Sequence, residues 1–148
     1  MGSRDSRNVI MPDKALQELK AHGLRKTWGR QQVLIYFRER KTAVSHGEIS
    51  KAFAQDIDRA SLYRILHDFE QKGLIHKVPD DEVSVKYAYC GSHCSTKSHS
   101  DQHLHFKCDN CHETFCLEEQ KLPTLQLPPG FLMQSTEVLV HGTCRACA

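Results

Sequence analysis

Four cysteines in two C-x-x-C pairs are the strongest chemical signal in this sequence. Cys108 and Cys111 form the first pair, and Cys144 and Cys147 form the second, close to the last residue. Each short turn places two sulfurs on one side of the backbone, so the two pairs can surround one Zn²⁺ ion through four thiolates. A closed four-sulfur site has no open coordination position, so we expect a structural rather than a catalytic zinc.

The distribution of the cysteines favours metal binding over a disulfide framework. All seven lie between Cys90 and Cys147, and an odd number of clustered cysteines mixed with histidines is typical of metal sites in a reducing compartment. A redox-active pair or a chance coincidence is the alternative for each C-x-x-C. Two such pairs rarely coincide by accident in 148 residues, which favours zinc.

A second metal site is indicated by His103 and His105. In a strand, residues i and i+2 point to the same face, so both imidazoles can bind one ion. Several other side chains are available to complete this site: His76, Cys90, His93, Cys94, His99 and Cys116. Because a single histidine is more often a surface or core residue than a ligand, His93 and His99 are interpreted in that simpler way.

Four helices and a hairpin are predicted ahead of these motifs, and together they indicate a winged helix-turn-helix. Thr27 and Asp58 are suitable N-caps, Ser45 and Glu48 form a capping-box pattern, and Gly73 closes the last helix. Apolar spacing and these signals predict helices over residues 12–22, 27–39, 45–54 and 58–72. The hairpin is expected over residues 74–78 and 83–89, with Val83, Val85, Tyr87 and Tyr89 on one face.

The rest of the chain is expected to alternate short strands with loops. Residues 90–102 are small and polar, which predicts a linker or a metal-bearing loop. Strands are predicted over 103–107, 113–117 and 131–140, and a short helix over 118–127, limited by prolines. The fold class is therefore α+β, with a winged-helix domain over residues 1–89 and a small zinc-binding α/β domain over 90–148.

Charge divides the chain in the same place. Residues 1–79 carry 15 basic and 9 acidic side chains, whereas residues 80–148 carry 5 and 9. A basic front half suits a polyanion such as DNA. The N-terminus lacks the apolar stretch of a signal peptide, and no run of about 18 apolar residues is present, so we expect a cytoplasmic protein without a membrane partner.

From Leu24 to Cys147 the sequence resembles the ferric uptake regulator family. The matching elements are Leu24-Arg25-Lys26-Thr27 with Arg30, Ala60-Ser61-Leu62-Tyr63-Arg64-Ile65-Leu66, the hairpin, His-x-His-x-x-Cys-x-x-Cys at 103–111 and the terminal C-x-x-C. The stretch Gly73-Leu74-Ile75-His76-Lys77-Val78 followed by Cys90 is most similar to the zinc uptake regulator branch.

The resemblance implies a homodimeric, metal-responsive repressor that binds an inverted-repeat DNA operator, not an enzyme, with no small-molecule substrate. The fourth helix would read the major groove, the hairpin would be the wing, and the back half would be a dimerisation domain that contains the structural zinc. A regulatory ion at the hinge between the domains would take its ligands from one pool: His76, Cys90, His103, His105 and Cys116. The DNA-contacting residues would be Arg59, Ser61, Tyr63, Arg64 and Lys77.

Departures from the family pattern bear on the choice of metal. Cys116 stands where the family usually has a carboxylate, and Leu104 and Thr136 fall where ligands of a third site would be expected. Thiolate ligands favour Zn²⁺ over Fe²⁺ or Mn²⁺, so zinc is the expected regulatory ion. An iron or peroxide sensor on the same scaffold is the alternative. A zinc-dependent enzyme is more remote, because the His-x-Glu and Pro-Cys-x-x-Cys motifs of zinc deaminases are missing.

Overall fold

A computed structural model describes residues 10–80, 84–90 and 103–148, and over these residues the chain is an α+β protein, as predicted. The helices are α1 (Ile10–Ala21), α2 (Trp28–Glu39), α3 (His46–Ala52) and α4 (Arg59–Gln71). The strands are β1 (Val44–Ser45), β2 (Ile75–Val78), β3 (Lys86–Tyr89), β4 (His103–Cys108), β5 (Thr114–Lys121) and β6 (Leu139–Gly142). None of the described helices combines the length and the hydropathy needed to cross a membrane.

The helices begin and end where local sequence signals place them. The Thr27 hydroxyl accepts a hydrogen bond from the backbone N–H of Arg30, and Asp58 accepts one from Ser61. Ser45 and Glu48 form the reciprocal bonds of a capping box. Gly73 follows α4 with a φ of 79°, a left-handed conformation that glycine adopts without a Cβ clash.

The apolar faces of the helices meet in one core. Leu34 and Phe37 of α2 pack with Leu62 and Phe69 of α4, and each is almost fully buried. The opposite face of α4 remains exposed: 63% of Tyr63 is accessible to solvent. The fourth helix is therefore fixed by one face and free to make contacts with the other.

Truncating the buried face of α4 should destabilise the protein. Phe69→Ala removes a fully buried ring, and comparable core truncations cost about 3–5 kcal/mol. Tyr63→Ala on the exposed face of the same helix is the matched control and should change the free energy of unfolding by less than about 0.5 kcal/mol. Urea denaturation followed by circular dichroism measures both; equal losses would mean that α4 does not bury the face described here.

The strands of the described residues pair into two three-stranded sheets. The front sheet has the order β1-β3-β2 and is antiparallel, and it packs with the helices to form what we call the head. The back sheet has the order β5-β4-β6, in which β4 is antiparallel to β5 and parallel to β6. We call the contacts between the two sheets the joint. At the joint the Ala43 N–H donates to the Thr114 carbonyl at 2.8 Å, and Thr42 forms a bridge with Phe115.

The back half departs from the prediction in two segments. The expected helix over 118–127 is wrong: β5 continues to Lys121, and residues 122–128 have no regular structure. The prolines at 123, 128 and 129 remove backbone donors, so neither a helix nor a strand can continue through them. The strand predicted over 131–140 begins only at Leu139, because β4 pairs with β6 from His105 onwards.

The hairpin is confirmed, although its predicted apolar face is only partly correct. Tyr87 and Tyr89 are half-buried against the core, as the alternation predicts. Val85, however, is 48% exposed, and Lys86 is buried next to it. Val83 and the predicted linker over 91–102 lie outside the described residues.

Candidate metal centres and nucleic-acid interface

The four cysteines of the C-x-x-C pairs come together at one end of the back sheet. Cys108 ends β4, and the parallel register of β4 with β6 places it opposite Gly142, two residues before Cys144. The ligand atoms of all four lie within 4.8 Å of one another, and the Cys111 and Cys144 sulfurs are 3.8 Å apart. Zn–S bonds of about 2.3 Å at a tetrahedral angle place sulfurs about 3.8 Å apart, so this geometry fits zinc.

The acidities of these thiols also fit a bound cation. Hydrogen bonds from the backbone of Cys111 and Cys144 lower the pKa of Cys108 to about 6. The neighbouring Cys144 and Cys111 side chains raise the pKa of Cys147 to about 12. Four thiolates cannot accumulate in so small a volume without a compensating positive charge, and a divalent metal ion supplies one.

A second group of four donors lies at the joint. His76 belongs to β2 of the front sheet, His103 and His105 to β4, and Cys116 to β5, where it is the cross-strand partner of His105. Their ligand atoms lie within 4.8 Å of one another. The His76 Nε2 and Cys116 Sγ are 3.5 Å apart, the distance that bonds of about 2.0 and 2.3 Å give at a tetrahedral angle.

Two histidines of this group have the hydrogen-bonding and protonation states that suit metal binding. Both ring nitrogens of His105 and Nε2 of His103 are buried without a hydrogen-bond partner in the described part of the chain. Burial, and then the neighbouring His103, lower the pKa of His105 to about 4. His105 is therefore neutral near pH 7, which is the protonation state that binds a metal. Buried nitrogens without partners are costly, and metal coordination would satisfy them.

Cys90 lies on the other side of His76. Its sulfur is 3.1 Å from Nδ1 of His76, whereas Cys116 faces Nε2 of the same ring. One ion binds only one nitrogen of an imidazole, and Cys90 is not a member of the four-donor group. The geometry thus divides the predicted pool into four converging donors and one thiol behind His76. His93, Cys94 and His99 lie outside the described residues.

The predicted DNA-contacting residues lie on the exposed face of α4 and on β2. Arg59, Tyr63 and Arg64 are exposed, and Ser61 is half-buried near the N-cap of α4. Lys77 is exposed on β2, with its ammonium 3.5 Å from the Glu70 carboxylate. A recognition helix needs this arrangement, in which one face packs in the core and the other can enter a groove.

One buried polar group at the joint was not predicted from the sequence motifs. The side chains of Asp80, Lys86 and Lys107 are all buried there and form ion pairs. The strand alternation contained a signal for the lysines, since Lys107 shares a face with His105 and Lys86 with Ala88. Nothing in the local sequence indicates that Asp80 would be their partner.

Comparison with known proteins decides the family. The model of the ferric uptake regulator family matches residues 21–128, most of the chain. The chain belongs to the ferric uptake regulator family. Members of this family are metal-responsive transcription regulators rather than enzymes, and the two donor clusters and the exposed α4 face are consistent with that role.

Individual members of the ferric uptake regulator family are similar over almost the whole chain. The ferric uptake regulation protein of Bordetella parapertussis is 27% identical over 138 residues, which cover 88% of this chain and 94% of that protein. A zinc uptake regulator solved with zinc and DNA superposes with a TM-score of 0.62 at 19% identity, covering 97% of this chain and 96% of that chain. The Vibrio cholerae ferric uptake regulator gives 0.56 at 18% identity, covering 87% and 98%. The structural matches establish the fold.

Proposed function

We propose that this family member is a zinc-responsive repressor, which binds an inverted-repeat operator as a homodimer when the donor group at the joint holds Zn²⁺. The observation that carries the proposal is the distribution of that group over two sheets. His76 is on the front sheet, close to the DNA-reading helix, while His103, His105 and Cys116 are on the back sheet. Simultaneous ligation of all four would fix the head relative to the back sheet.

The donor set favours zinc over iron or manganese. Three imidazoles and one thiolate satisfy a tetrahedral ion, and the sulfur of Cys116 is a soft ligand that Fe²⁺ and Mn²⁺ do not prefer. A bound Zn²⁺ supplies a divalent charge and four directional bonds. Cys90 acts behind this set: its sulfur holds Nδ1 of His76 and turns Nε2 towards the other donors.

The link from the ion to DNA is the orientation of the head. A dimer presents two copies of α4, and these fit an operator only when their separation matches a whole number of helical turns. If the filled joint favours the arrangement with that separation, ion binding and DNA binding stabilise the same state. The metal therefore raises operator affinity without contacting DNA.

The homodimer is supported by apolar side chains that the chain leaves exposed after β5. Phe131 is 68% and Leu132 is 91% exposed, and other large apolar residues of the same segment are also accessible: Leu125, Leu127 and Met133. An exposed apolar tract of this kind is typical of an interface. We propose that a second copy covers it, and that the dimer works in the cytoplasm.

In the proposed complex, α4 reads bases and the basic residues around it contact phosphates. Arg59 and Arg64 have the length and the paired donors to bind guanine, and Tyr63 can contact a thymine methyl group or a phosphate. Ser61 and Lys77 flank this face, and contacts from such residues to the sugar-phosphate backbone position the protein without specifying sequence.

Removing a base-reading arginine should weaken and relax recognition. Arg64→Ala is expected to lower operator affinity by about 1–3 kcal/mol and to reduce discrimination at one base pair of each half-site. Lys77→Ala should instead weaken binding to all sequences about equally and make binding less salt-dependent. Fluorescence anisotropy on an operator selected from a random DNA library measures both. A uniform loss for Arg64→Ala would place that residue on the phosphates.

The identity of the ion is tested by operator affinity at buffered free metal. The protein, with its four-cysteine site filled, is titrated separately with Zn²⁺, Fe²⁺ and Mn²⁺ under anaerobic conditions. We expect Zn²⁺ to raise operator affinity at the lowest free concentration. Activation by Fe²⁺ at lower concentrations than by Zn²⁺ would indicate an iron sensor. Iron-dependent loss of DNA binding on adding peroxide would indicate a peroxide sensor.

A further inference from the structure

Asp80 is the centre of a buried cluster of charged side chains at the joint, which we call the ion cluster. Its side chain is 2% exposed, and its two oxygens accept from at least three donors among the described residues. The Lys107 ammonium lies 2.6 Å from Oδ1, the Lys86 ammonium lies 3.1 Å from Oδ2, and the Thr114 hydroxyl donates to Oδ2 at 2.8 Å. Lys86 and Lys107 are themselves only 9% and 5% exposed.

The partners of Asp80 belong to both sides of the joint. Asp80 follows β2 and Lys86 begins β3, so both are part of the front hairpin. Lys107 is on β4 and Thr114 begins β5, so both are part of the back sheet. One carboxylate thus connects the hairpin to two strands of the back sheet. The Lys86 ammonium adds a contact 3.4 Å from the carbonyl of His112, which also lies in the back half.

The ion cluster fixes the relative orientation of the two sheets more strictly than the apolar contacts of the joint can. Among the described residues the apolar part is small: Ala43, Val78 and Ala88 form it, and Cys116 packs against them. Small aliphatic groups can slide across one another at little cost, whereas charge-assisted hydrogen bonds require particular distances and angles. Removing charges from water is costly, so a buried cluster of this kind contributes orientation more than net stability.

We propose that Asp80 is a positioning residue, which holds the head on the back sheet whether or not an ion is bound at the joint. His76 lies only four residues before Asp80, so the metal donors and the ion cluster fasten the same hairpin. Metal ligation and the Asp80 ion pairs therefore act on the same contact between the head and the back sheet. Asp80 sets the arrangement, and the bound metal ion stabilises it further. The part of this inference that concerns the ion rests on the proposed function, whereas the part that concerns Asp80 does not.

Amide hydrogen exchange of the full-length protein distinguishes the contribution of the Asp80 ion pairs from that of the metal ion. The reporter is the segment 42–45, in which the Ala43 N–H donates to the Thr114 carbonyl across the joint. Wild type and Asp80→Asn are each measured with zinc and after chelation of the weaker ion, with zinc per chain counted on every sample. Residues 33–37 in the core of α2 report on the fold of the head.

In wild type, chelation should leave the reporter segment protected. In Asp80→Asn, chelation should speed exchange there by about tenfold or more, as expected for a local opening, and zinc should restore protection. Segment 33–37 should not change in any of the four samples. Asp56→Asn, the same substitution at an exposed aspartate of the head, should behave as wild type.

Any of three results would overturn the proposal. If chelated wild type opens at 42–45 as much as chelated Asp80→Asn, the ion alone holds the joint. If Asp80→Asn speeds amide exchange at 33–37 as much as at 42–45, Asp80 stabilises the fold of the head as a whole rather than the joint. Should Asp80→Asn fail to fold, Thr114→Val removes one donor without leaving a buried charge, and unchanged exchange at 42–45 in that variant would also refute the role. A wild type that binds no second zinc yet keeps the joint closed would refute the proposed function and leave the Asp80 inference standing.

Discussion

Replacing Cys108 with serine should abolish the stable back sheet and operator binding with it. Cys108 is completely buried and ends β4, and the Cys144 N–H donates to its sulfur at 3.3 Å. Binding of a structural zinc contributes about 10–16 kcal/mol to the folding of small zinc domains. The whole stability of a domain is about 5–15 kcal/mol. Losing the ion is therefore enough to unfold the segment that it ties together.

Three measurements on Cys108→Ser test this expectation. Zinc per chain should fall by one, amide exchange along β4 and β6 should lose its protection, and operator affinity should fall to the level of non-specific DNA. Thr143→Ser is the matched control, because Thr143 is exposed beside Cys144 and carries no ligand. A Cys108→Ser protein that kept a protected back sheet without the tightly held zinc would show that the four cysteines are not structural.

Replacing His105 with alanine should remove the metal response while leaving the fold intact. His105 is 2% exposed, and its neutral ring is in the group of four donors at the joint. Allosteric coupling free energies of about 1–3 kcal/mol correspond to changes in affinity of about 5–150-fold. With zinc present, His105→Ala should bind the operator more weakly by a factor in that range, at the level of chelated wild type.

Two further substitutions are compared with His105→Ala, one as a control and one as a test of Cys90. His141→Ala removes an exposed histidine of the back sheet, whose ring lies 3.2 Å from Asp109, and should respond to zinc normally. Cys90→Ser keeps all four converging donors and loses only the support of His76, so zinc affinity should fall by about 10–100-fold with the full response recovered at high zinc. If Cys90→Ser lost the response at every zinc concentration, Cys90 would be a ligand.

The parts of this structure that follow from the sequence are those determined by neighbours in the chain. The N-caps Thr27 and Asp58 and the capping box at Ser45 need only three or four residues to specify a helix start. The same holds for the C-x-x-C pairs and for His103 and His105, whose spacing in one turn or strand already brings two ligands together.

The features that the sequence did not reveal depend on pairing between distant segments. The continuation of β5 to Lys121 follows from its register with β4, and β1 exists only because residues 44–45 pair with β3. Asp80 meets Lys107 across 27 positions of sequence, and nothing near either residue indicates the other. Cys90 lies at Nδ1 of His76 and Cys116 at Nε2 of the same ring. The sequence does not indicate which thiol lies at which nitrogen.

The most direct test measures zinc content, fold and operator affinity on one sample during stepwise chelation. We expect two zinc ions per chain at the start, one held tightly by the cysteines and one held less tightly at the joint. Removing the second ion should lower operator affinity about 5–150-fold while circular dichroism and the dimer remain unchanged. Operator affinity that stayed constant as the count fell from two to one would contradict the claim that the ion at the joint stabilises the DNA-binding state of the head.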